Sequence, residues 1–156
     1  AHKNTGRPLK EGKWFEKFRS NYLDVDNDAL YPFGYGLSYT TFRFSDITLN
    51  RSSIGMDNEL VASVTVTNTG DRAGSEVVQL YIRDLVGSVT RPVKELKGFE
   101  KIYLQPKESR TVRFTIAPEM LKFYNADLKF VAEPGDFDVM IGPDSRNVKT
   151  ARFTLR

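Results

Sequence analysis

Apolar and polar residues alternate along most of the chain after residue 41. The alternation is clear at residues 60–67, where every second residue is apolar, and this is typical of a β-strand with one buried face. The most apolar run of the chain, residues 77–82, predicts a central strand. Shorter stretches of the same kind lie at residues 42–49, 96–104, 108–117, 128–132, 137–141 and 151–155. The pattern predicts seven or eight short strands and very little helix.

Turn-forming residues separate the predicted strands about every 8 to 12 residues, which is the spacing of an antiparallel β-sandwich. Gly98 interrupts one stretch and predicts a bulge or bend there. Residues 118–125 predict the one helical turn, because Pro118 suits an early helical position. We therefore predict an all-β fold, an antiparallel sandwich of the immunoglobulin or fibronectin type III-like class with about seven strands. Its predicted core consists of alternating apolar residues, namely Val64, Val66, Val78, Leu80, Ile82, Phe114, Ile116, Val139 and Ile141.

Residues 30–42 do not follow this alternation. They contain three tyrosines, two phenylalanines and two leucines. Pro32, Gly34 and Gly36 lie too close together for a helix or a central strand to continue through them. Each ring buries on the order of 150 to 250 Å² when it packs. We therefore expect this bent segment to pack against another surface, either in this chain or outside it.

The first 29 residues are mostly polar and have no sustained period. Their informative part is the aromatic group Trp14, Phe15 and Phe18, for which two interpretations stay open. The arm either folds back on its own domain or docks on neighbouring domains. Because the chain begins with Ala1 and carries no basic-then-apolar signal region, we expect it to be a piece of a longer protein. The predicted division is an arm at residues 1–40 and a sandwich at residues 41–156.

Composition excludes several classes of function. There is no cysteine and the single histidine is His2, so neither a disulfide nor a histidine-rich metal site is predicted. The net charge is only +3 and the basic residues are interspersed with acidic ones, which argues against a nucleic-acid partner. No stretch reaches the roughly 20 apolar residues that span a bilayer, so no membrane span is predicted. Nor do we predict a cofactor or a metal.

No catalytic residue is predicted either. Hydrolysis by paired carboxyl groups, for example, needs two of them on either side of the scissile bond. Here Asp71 and Asp136 lie in predicted turns, and Glu76 and Glu95 lie at strand edges, so a solvated position explains each of them. The sequence also lacks a Gly-x-Ser-x-Gly elbow, and Gly34 and Gly36 lack the third glycine of a nucleotide loop.

A family resemblance rests on several motifs. Residues 31–40 read Tyr-Pro-Phe-Gly-Tyr-Gly-Leu-Ser-Tyr-Thr. This run resembles the signature that joins the catalytic region of glycoside hydrolase family 3 enzymes, the β-glucosidase and β-xylosidase group, to their C-terminal fibronectin type III-like domain. Further motifs follow in the family's order at residues 66–70, 76–81, 91–99 and 134–135.

The resemblance implies a non-catalytic accessory domain, because the family's catalytic carboxyl groups belong to the preceding domains. Those domains would be its partners within one chain, and the parent would hydrolyse terminal β-D-glucosyl or related residues in the periplasm or outside the cell. Oligomeric state is not predicted. The residues expected to pack between domains are Trp14, Phe15, Phe18, Tyr31, Phe33, Tyr35, Leu37, Tyr39, Arg91 and Pro92.

Two questions stay open at this stage. The chain could instead be a carbohydrate-binding module, with exposed rings such as Trp14, Tyr22, Tyr103 or Tyr124 as sugar-stacking faces. Such a module needs two or more coplanar rings on one exposed surface. The loop at residues 84–92, about nine residues and longer than most connections, is either an interface with the parent's other domains or a solvated crossover.

Overall fold

The computed structural model describes residues 28–156. Within this range the chain forms eleven strands: β1 (Phe42–Phe44), β2 (Thr48–Leu49), β3 (Ser53–Ile54), β4 (Leu60–Asn68), β5 (Gly74–Asp84), β6 (Glu95–Leu104), β7 (Ser109–Ile116), β8 (Phe123–Tyr124), β9 (Phe130–Val131), β10 (Gly135–Gly142) and β11 (Lys149–Leu155). One 3₁₀ helix, Pro118–Leu121, lies between β7 and β8. The predicted all-β class is confirmed.

The strands form two main sheets that face each other. In the first, β4 pairs antiparallel with β1, β2 and β7. In the second, the order is β3-β11-β10-β5-β6. A separate two-stranded hairpin is formed by β8 and β9. This is the architecture of a β-sandwich, in which the inner faces of the two sheets bury the core.

Alternation along the strands decides which face is buried. On β4, Leu60, Ala62, Val64 and Val66 are all at most 1% exposed, while the residues between them are half-buried. On β5, Val78, Leu80 and Ile82 enter the same core. Every predicted core residue lies in or against this cluster, and Phe114 alone among them is only partly buried.

Several details differ from the sequence prediction. β3 was not predicted, because two residues are too short to show a period, and it pairs with β11 in parallel. The predicted helical turn ends at Leu121, and Tyr124 instead lies exposed in β8. β6 is continuous rather than interrupted. The expected irregularity is a bulge, because Leu80 lies opposite Gly98 while Tyr81 lies opposite Leu96, which leaves Lys97 as the extra residue.

Candidate interdomain surface

Residues 30–39, which we call the aromatic segment, display their large apolar side chains to solvent. The exposed fractions are 83% for Leu30, 64% for Tyr31, 52% for Phe33, 45% for Tyr35, 90% for Leu37 and 94% for Tyr39. The segment contains no charged residue. Large apolar side chains exposed together in this way usually mark an interaction surface.

The backbone of the aromatic segment is fixed on the second sheet near its middle. The carbonyl of Phe33 accepts a hydrogen bond of 2.8 Å from the backbone N–H of Ser145. The carbonyl of Gly34 accepts one of 3.2 Å from Nε2 of Gln79 on β5. Between them, the N–H of Tyr35 donates to the carbonyl of Pro32 at 3.0 Å and closes a tight turn. Gly34 has φ +80°, a left-handed conformation that glycine adopts without strain.

Directly after the segment, the chain is fixed on the first sheet. The Thr40 hydroxyl donates to Oδ1 of Asn68 at 2.7 Å. Asn68 is fully buried at the end of β4, and its Nδ2 donates to the carbonyls of Arg72 and Leu104. Just beyond the segment, the N–H of Thr69 donates to the carbonyl of Thr41 at 2.8 Å. The chain is thus held on the side of the second sheet at Phe33 and Gly34 and on the first sheet directly after the segment.

The turn after β10 provides the second support of the segment. Asp144, only 3% exposed, accepts hydrogen bonds from the N–H groups of Arg146 and Asn147 and from Nδ2 of Asn147. Burial alone would raise the pKa of this carboxyl, but the hydrogen bonds from Asn147 and Arg146 and the Arg146 charge together hold the pKa below its usual value. The ionised carboxylate therefore stabilises the turn that presents Ser145 to Phe33.

Side chains and backbone thus have opposite roles in the segment and in the core. In the core the side chains are buried. In the segment the carbonyls of Phe33 and Gly34 contact the sandwich and the large side chains are exposed. The rings of Tyr31 and Tyr35 contact each other at 5.2 Å with a tilt of 39°. The result is a preformed apolar surface on a fixed backbone.

The loop at residues 84–92, for which an interface and a solvated crossover were both left open, borders a groove of about 580 Å³ together with the neighbouring Val93. Arg91 turns into its own domain. Its guanidinium donates to Oε1 of Glu95 at 2.6 Å, lies 4.0 Å from a carboxyl oxygen of Asp84, and stacks 4.3 Å from the centre of the Phe123 ring. These contacts combine charge pairing with cation–π attraction.

A second set of contacts closes the same loop. Ser88 donates to the Glu133 carboxylate from its N–H at 2.9 Å and from its hydroxyl at 2.6 Å. The tips of the loop remain exposed, with Val86 81% and Val93 67% accessible. The loop is therefore a fixed structure that displays small apolar side chains rather than rings.

Carboxyl groups gather beside this loop, but each of them has a structural partner. Asp84 is held by the N–H of Val86 and by Arg91, Glu95 by Arg91, and Glu133 by Ser88. Burial raises the pKa of Asp84, and the hydrogen bond from Val86 and the Arg91 charge oppose that rise. This arrangement explains how the loop is held and gives no reason to assign it acid–base chemistry.

The two regions are connected through the turn after β10. Lys94, at the exit of the loop, donates from Nζ to the carbonyl of Ser145 at 2.6 Å. The N–H of the same Ser145 holds Phe33. Burial lowers the pKa of Lys94, the Arg83 charge lowers it further, and the Asp144 charge opposes this. The aromatic segment and the loop exit therefore contact opposite sides of one residue.

Comparison with known proteins places this architecture in a family. Residues 76–145 match the family described as the fibronectin type III-like domain. The chain is 54% identical, over 99% of its length, to a periplasmic β-glucosidase of Salmonella typhimurium and covers 20% of that protein. It is 44% identical, over 88% of its length, to a β-xylosidase of Formosa agariphila and covers 19% of it. The chain therefore contains a fibronectin type III-like domain, and it is similar to one stretch of larger β-glucosidases and β-xylosidases.

The solved structures agree with this assignment. A β-glucosidase of Listeria innocua, crystallised with glucose, superposes with a TM-score of 0.89 at 39% identity. The match covers 99% of this chain and 22% of that protein. The chain therefore spans about a fifth of the length of the curated relatives and of the solved structure that it matches.

The predicted contact residues of the fibronectin type III-like domain fall into three groups. Tyr31, Phe33, Tyr35, Leu37 and Tyr39 all lie exposed in the aromatic segment. Arg91 is turned inward and Pro92 is exposed, so their assignment to an interface stays a prediction. Trp14, Phe15 and Phe18 lie outside the described residues, as does most of the predicted arm.

The domain also shows residues that the sequence reasoning missed. Gln79, Lys94, Asp144 and Ser145 hold the aromatic segment and the loop, and none was predicted to do so. Only Gln79 carries a signal in the sequence, since it is the one polar residue in an otherwise apolar run at 77–82.

Two of the rings considered for sugar stacking lie within residues 28–156. Tyr103 and Tyr124 are exposed, but Tyr124 packs against Phe130 at 5.0 Å with the two planes tilted by 41°. Trp14 and Tyr22 lie outside residues 28–156.

No group of histidine, cysteine, aspartate and glutamate side chains within residues 28–156 is arranged to hold a metal ion. In the same part of the chain, no helix has the length and apolar character needed to cross a membrane.

Proposed function

We propose that this fibronectin type III-like domain is a non-catalytic accessory domain that packs on the catalytic domains of a longer family 3 β-glucosidase-like chain and stabilises them. Residues 1–40 form its connecting arm and residues 41–156 its sandwich. The longer protein hydrolyses terminal β-D-glucosyl or related residues. Support comes from relatives that carry β-glucosidase and β-xylosidase names and are about five times longer than this chain.

One observation carries the proposal. The backbone of the aromatic segment is held at Phe33 and Gly34 and the chain is held again at Thr40, directly after it, while its rings and leucines are between 45% and 94% exposed. Fully burying one such side chain contributes about 1.5–3 kcal/mol. If no partner covered this surface, the burial free energy of several large side chains would be lost. A partner surface is therefore the better explanation.

The chemistry of the segment describes the partner surface. With no charge between residues 30 and 40, the segment suits an apolar face rather than an acidic or basic one. The hydroxyl groups of Tyr31, Tyr35 and Tyr39 would lie at the edges of such a contact, where hydrogen-bond partners or water satisfy them. This composition resembles the apolar centre and polar rim of a stable interface.

The proposal assigns no catalytic residue to this chain. The carboxyl groups that gather near the loop are those of Asp84, Glu95 and Glu133, and each is held by a structural partner. The catalytic carboxyl groups would therefore come from the rest of the longer protein. We place that protein in the periplasm or outside the cell, because a relative 54% identical to this chain is named a periplasmic β-glucosidase.

The test uses the longer protein with Phe33→Ser and Leu37→Ser. Loss of buried apolar area at a domain contact should lower the melting temperature of the longer protein. The β-glucosidase activity of the longer protein should also be lost faster on heating. Differential scanning calorimetry and residual activity after heating measure the two effects.

A matched control is Phe99→Ser. Phe99 is also an exposed ring, 69% accessible, but it lies on β6 outside the aromatic segment. The control should leave both readouts nearly unchanged. If Phe33→Ser and Leu37→Ser are as harmless as the control, the accessory role at this surface is wrong.

A further inference from the structure

Gln79 is a buried polar residue in the most apolar strand of the domain. It is 5% exposed on β5 and lies between Val78 and Leu80, which both enter the core. Because side chains alternate along a strand, Gln79 projects from the outer face of the second sheet. Burying an amide without hydrogen-bond partners costs free energy, so its presence at this position needs an explanation.

Its hydrogen bonds supply that explanation. Nε2 donates to the carbonyl of Gly34 at 3.2 Å and also to the carbonyl of Pro143. Oε1 accepts from the hydroxyl of Tyr81, two residues further along β5. The two carbonyls belong to the aromatic segment and to the turn after β10. One side chain therefore joins the sheet, the segment and the turn.

The space above Gln79 is also specific. A Cβ atom at position 34 would overlap the Gln79 amide, and the φ of +80° at Gly34 disfavours other residues as well. The segment thus approaches Gln79 as closely as a glycine backbone allows. Tyr81 supports the arrangement as a neutral donor, since burial, and after it the charge of Asp144, raises the pKa of its phenol.

We infer that Gln79 is the positioning residue of the interdomain surface: through Gly34 and Pro143 it holds the aromatic segment in one backbone conformation, with the rings already displayed for the partner. A preformed surface binds with a smaller loss of conformational entropy than a loop that must order on contact. The role in docking rests on the proposed function, whereas the fixing of the segment is a property of this chain alone.

The first test measures amide hydrogen exchange in the 156-residue chain carrying Gln79→Leu, which keeps the size and removes the amide. The reporting amides are those of Tyr35 and Ser145, whose N–H groups are bonded to Pro32 and Phe33. Loss of one or two hydrogen bonds should speed their exchange about ten- to a hundredfold. Amides between β4 and β7 should keep their wild-type rates.

Gln105→Leu is the matched control, because Gln105 lies exposed in the turn before β7. It should leave the Tyr35 and Ser145 amides at wild-type rates. Unchanged exchange at these two amides in Gln79→Leu would overturn the inference, and so would an equal acceleration in every strand.

A second variant separates positioning from packing. In Gln79→Glu at neutral pH, a carboxylate would face the two carbonyls that Gln79 now bonds, so exchange at Tyr35 and Ser145 should exceed that in Gln79→Leu. At low pH the introduced carboxyl group is protonated and can donate one hydrogen bond. The exchange rate of the two amides in Gln79→Glu, divided by the wild-type rate at the same pH, should then fall. A ratio that does not change with pH would contradict the assigned role.

Tyr81→Phe provides a milder change if Gln79→Leu fails to fold. It removes only the hydroxyl that orients the amide, so exchange at the same two amides should rise by a smaller factor. No rise in Tyr81→Phe would overturn the inference. All of these exchange measurements use this chain alone, whereas the docking of Phe33 and Leu37 is tested in the longer protein. Either the role of Gln79 or the docking can therefore be disproved without the other.

Discussion

The aromatic segment and the loop at residues 84–92 were both considered as contacts with other domains, and the structure fixes them in opposite ways. The segment is held by its backbone and displays its large side chains. The loop is held by side chains, chiefly Arg91 and Ser88, and displays only small apolar residues such as Val86. Substituting side chains should therefore have different consequences in the two regions.

The comparison shows how to separate a surface prepared for a partner from a connection that stabilises itself. In the segment, removing Leu37 or Tyr39 takes away nothing that the isolated domain uses, since both are at least 90% exposed. In the loop, removing Arg91 breaks contacts with Asp84, Glu95 and Phe123. The predictions below rank the expected effects on the isolated chain.

The largest effect should come from Arg91→Ala. It leaves Asp84 and Glu95 without their shared cation and removes the stacking on Phe123, so unfolding free energy should fall by about 2 kcal/mol. Urea denaturation followed by circular dichroism measures the loss. Arg113→Ala, at an exposed position on β7, is the control and should change stability by less than about 0.5 kcal/mol. Equal losses in the two variants would show that Arg91 is not what holds the loop.

An intermediate effect is expected at the turn that both regions contact. Asp144→Asn keeps the shape but weakens the hydrogen bonds from Arg146 and Asn147, so stability at pH 7 should fall by about 1 kcal/mol. Thermal unfolding of the two proteins measures the difference.

The lowered pKa of Asp144 determines how its contribution to stability changes with pH. The stability contributed by the ionised carboxylate is present above the usual value of 3.8 and is lost as the pH falls through the lower folded value. The difference in unfolding free energy between wild type and Asp144→Asn should therefore become smaller below about pH 4. A stability difference that stays constant from pH 7 to pH 3 would show that the ionised Asp144 carboxylate is not its cause.

The smallest effect on the isolated chain should come from Leu37→Ser. Its side chain is 90% exposed, so unfolding free energy should change by less than about 0.5 kcal/mol. Solubility at high concentration should rise, because an apolar patch becomes smaller. Val64→Ser, in the core, is the contrasting variant. A large loss of stability in Leu37→Ser would mean that the segment serves the fold rather than a partner.

The fold could be predicted largely from the alternation of apolar and polar residues. β4 illustrates this, with Val64 and Val66 in the core and half-buried residues between them. On β10, Val139 and Ile141 lie in the core as expected, although the strand is buried on both faces from residue 137 onward. β3 could not be predicted, since its two residues pair with β11 through the backbone. Backbone pairing of such short strands leaves no side-chain period.

The candidate surface could be predicted only in part. Aromatic content and the close spacing of Pro32, Gly34 and Gly36 indicated a bent segment with unburied rings. Its supports could not be predicted, because Ser145 acts through its backbone and Lys94 through a carbonyl far away in sequence. Arg91 looked like a contact residue from its motif, whereas the charges and the ring that turn it inward lie on other elements.

Hydroxyl-radical footprinting tests the central claim, that the aromatic segment is covered by the rest of the longer protein, most directly. Side-chain oxidation is compared in the isolated 156-residue chain and in the longer protein. Phe99 and Tyr103 on β6 serve as exposed reference rings. The account predicts that Tyr31, Phe33, Tyr35, Leu37 and Tyr39 oxidise readily in the isolated chain and become protected in the longer protein, while the reference rings keep their rates. Equal oxidation of the aromatic segment in both proteins would contradict it.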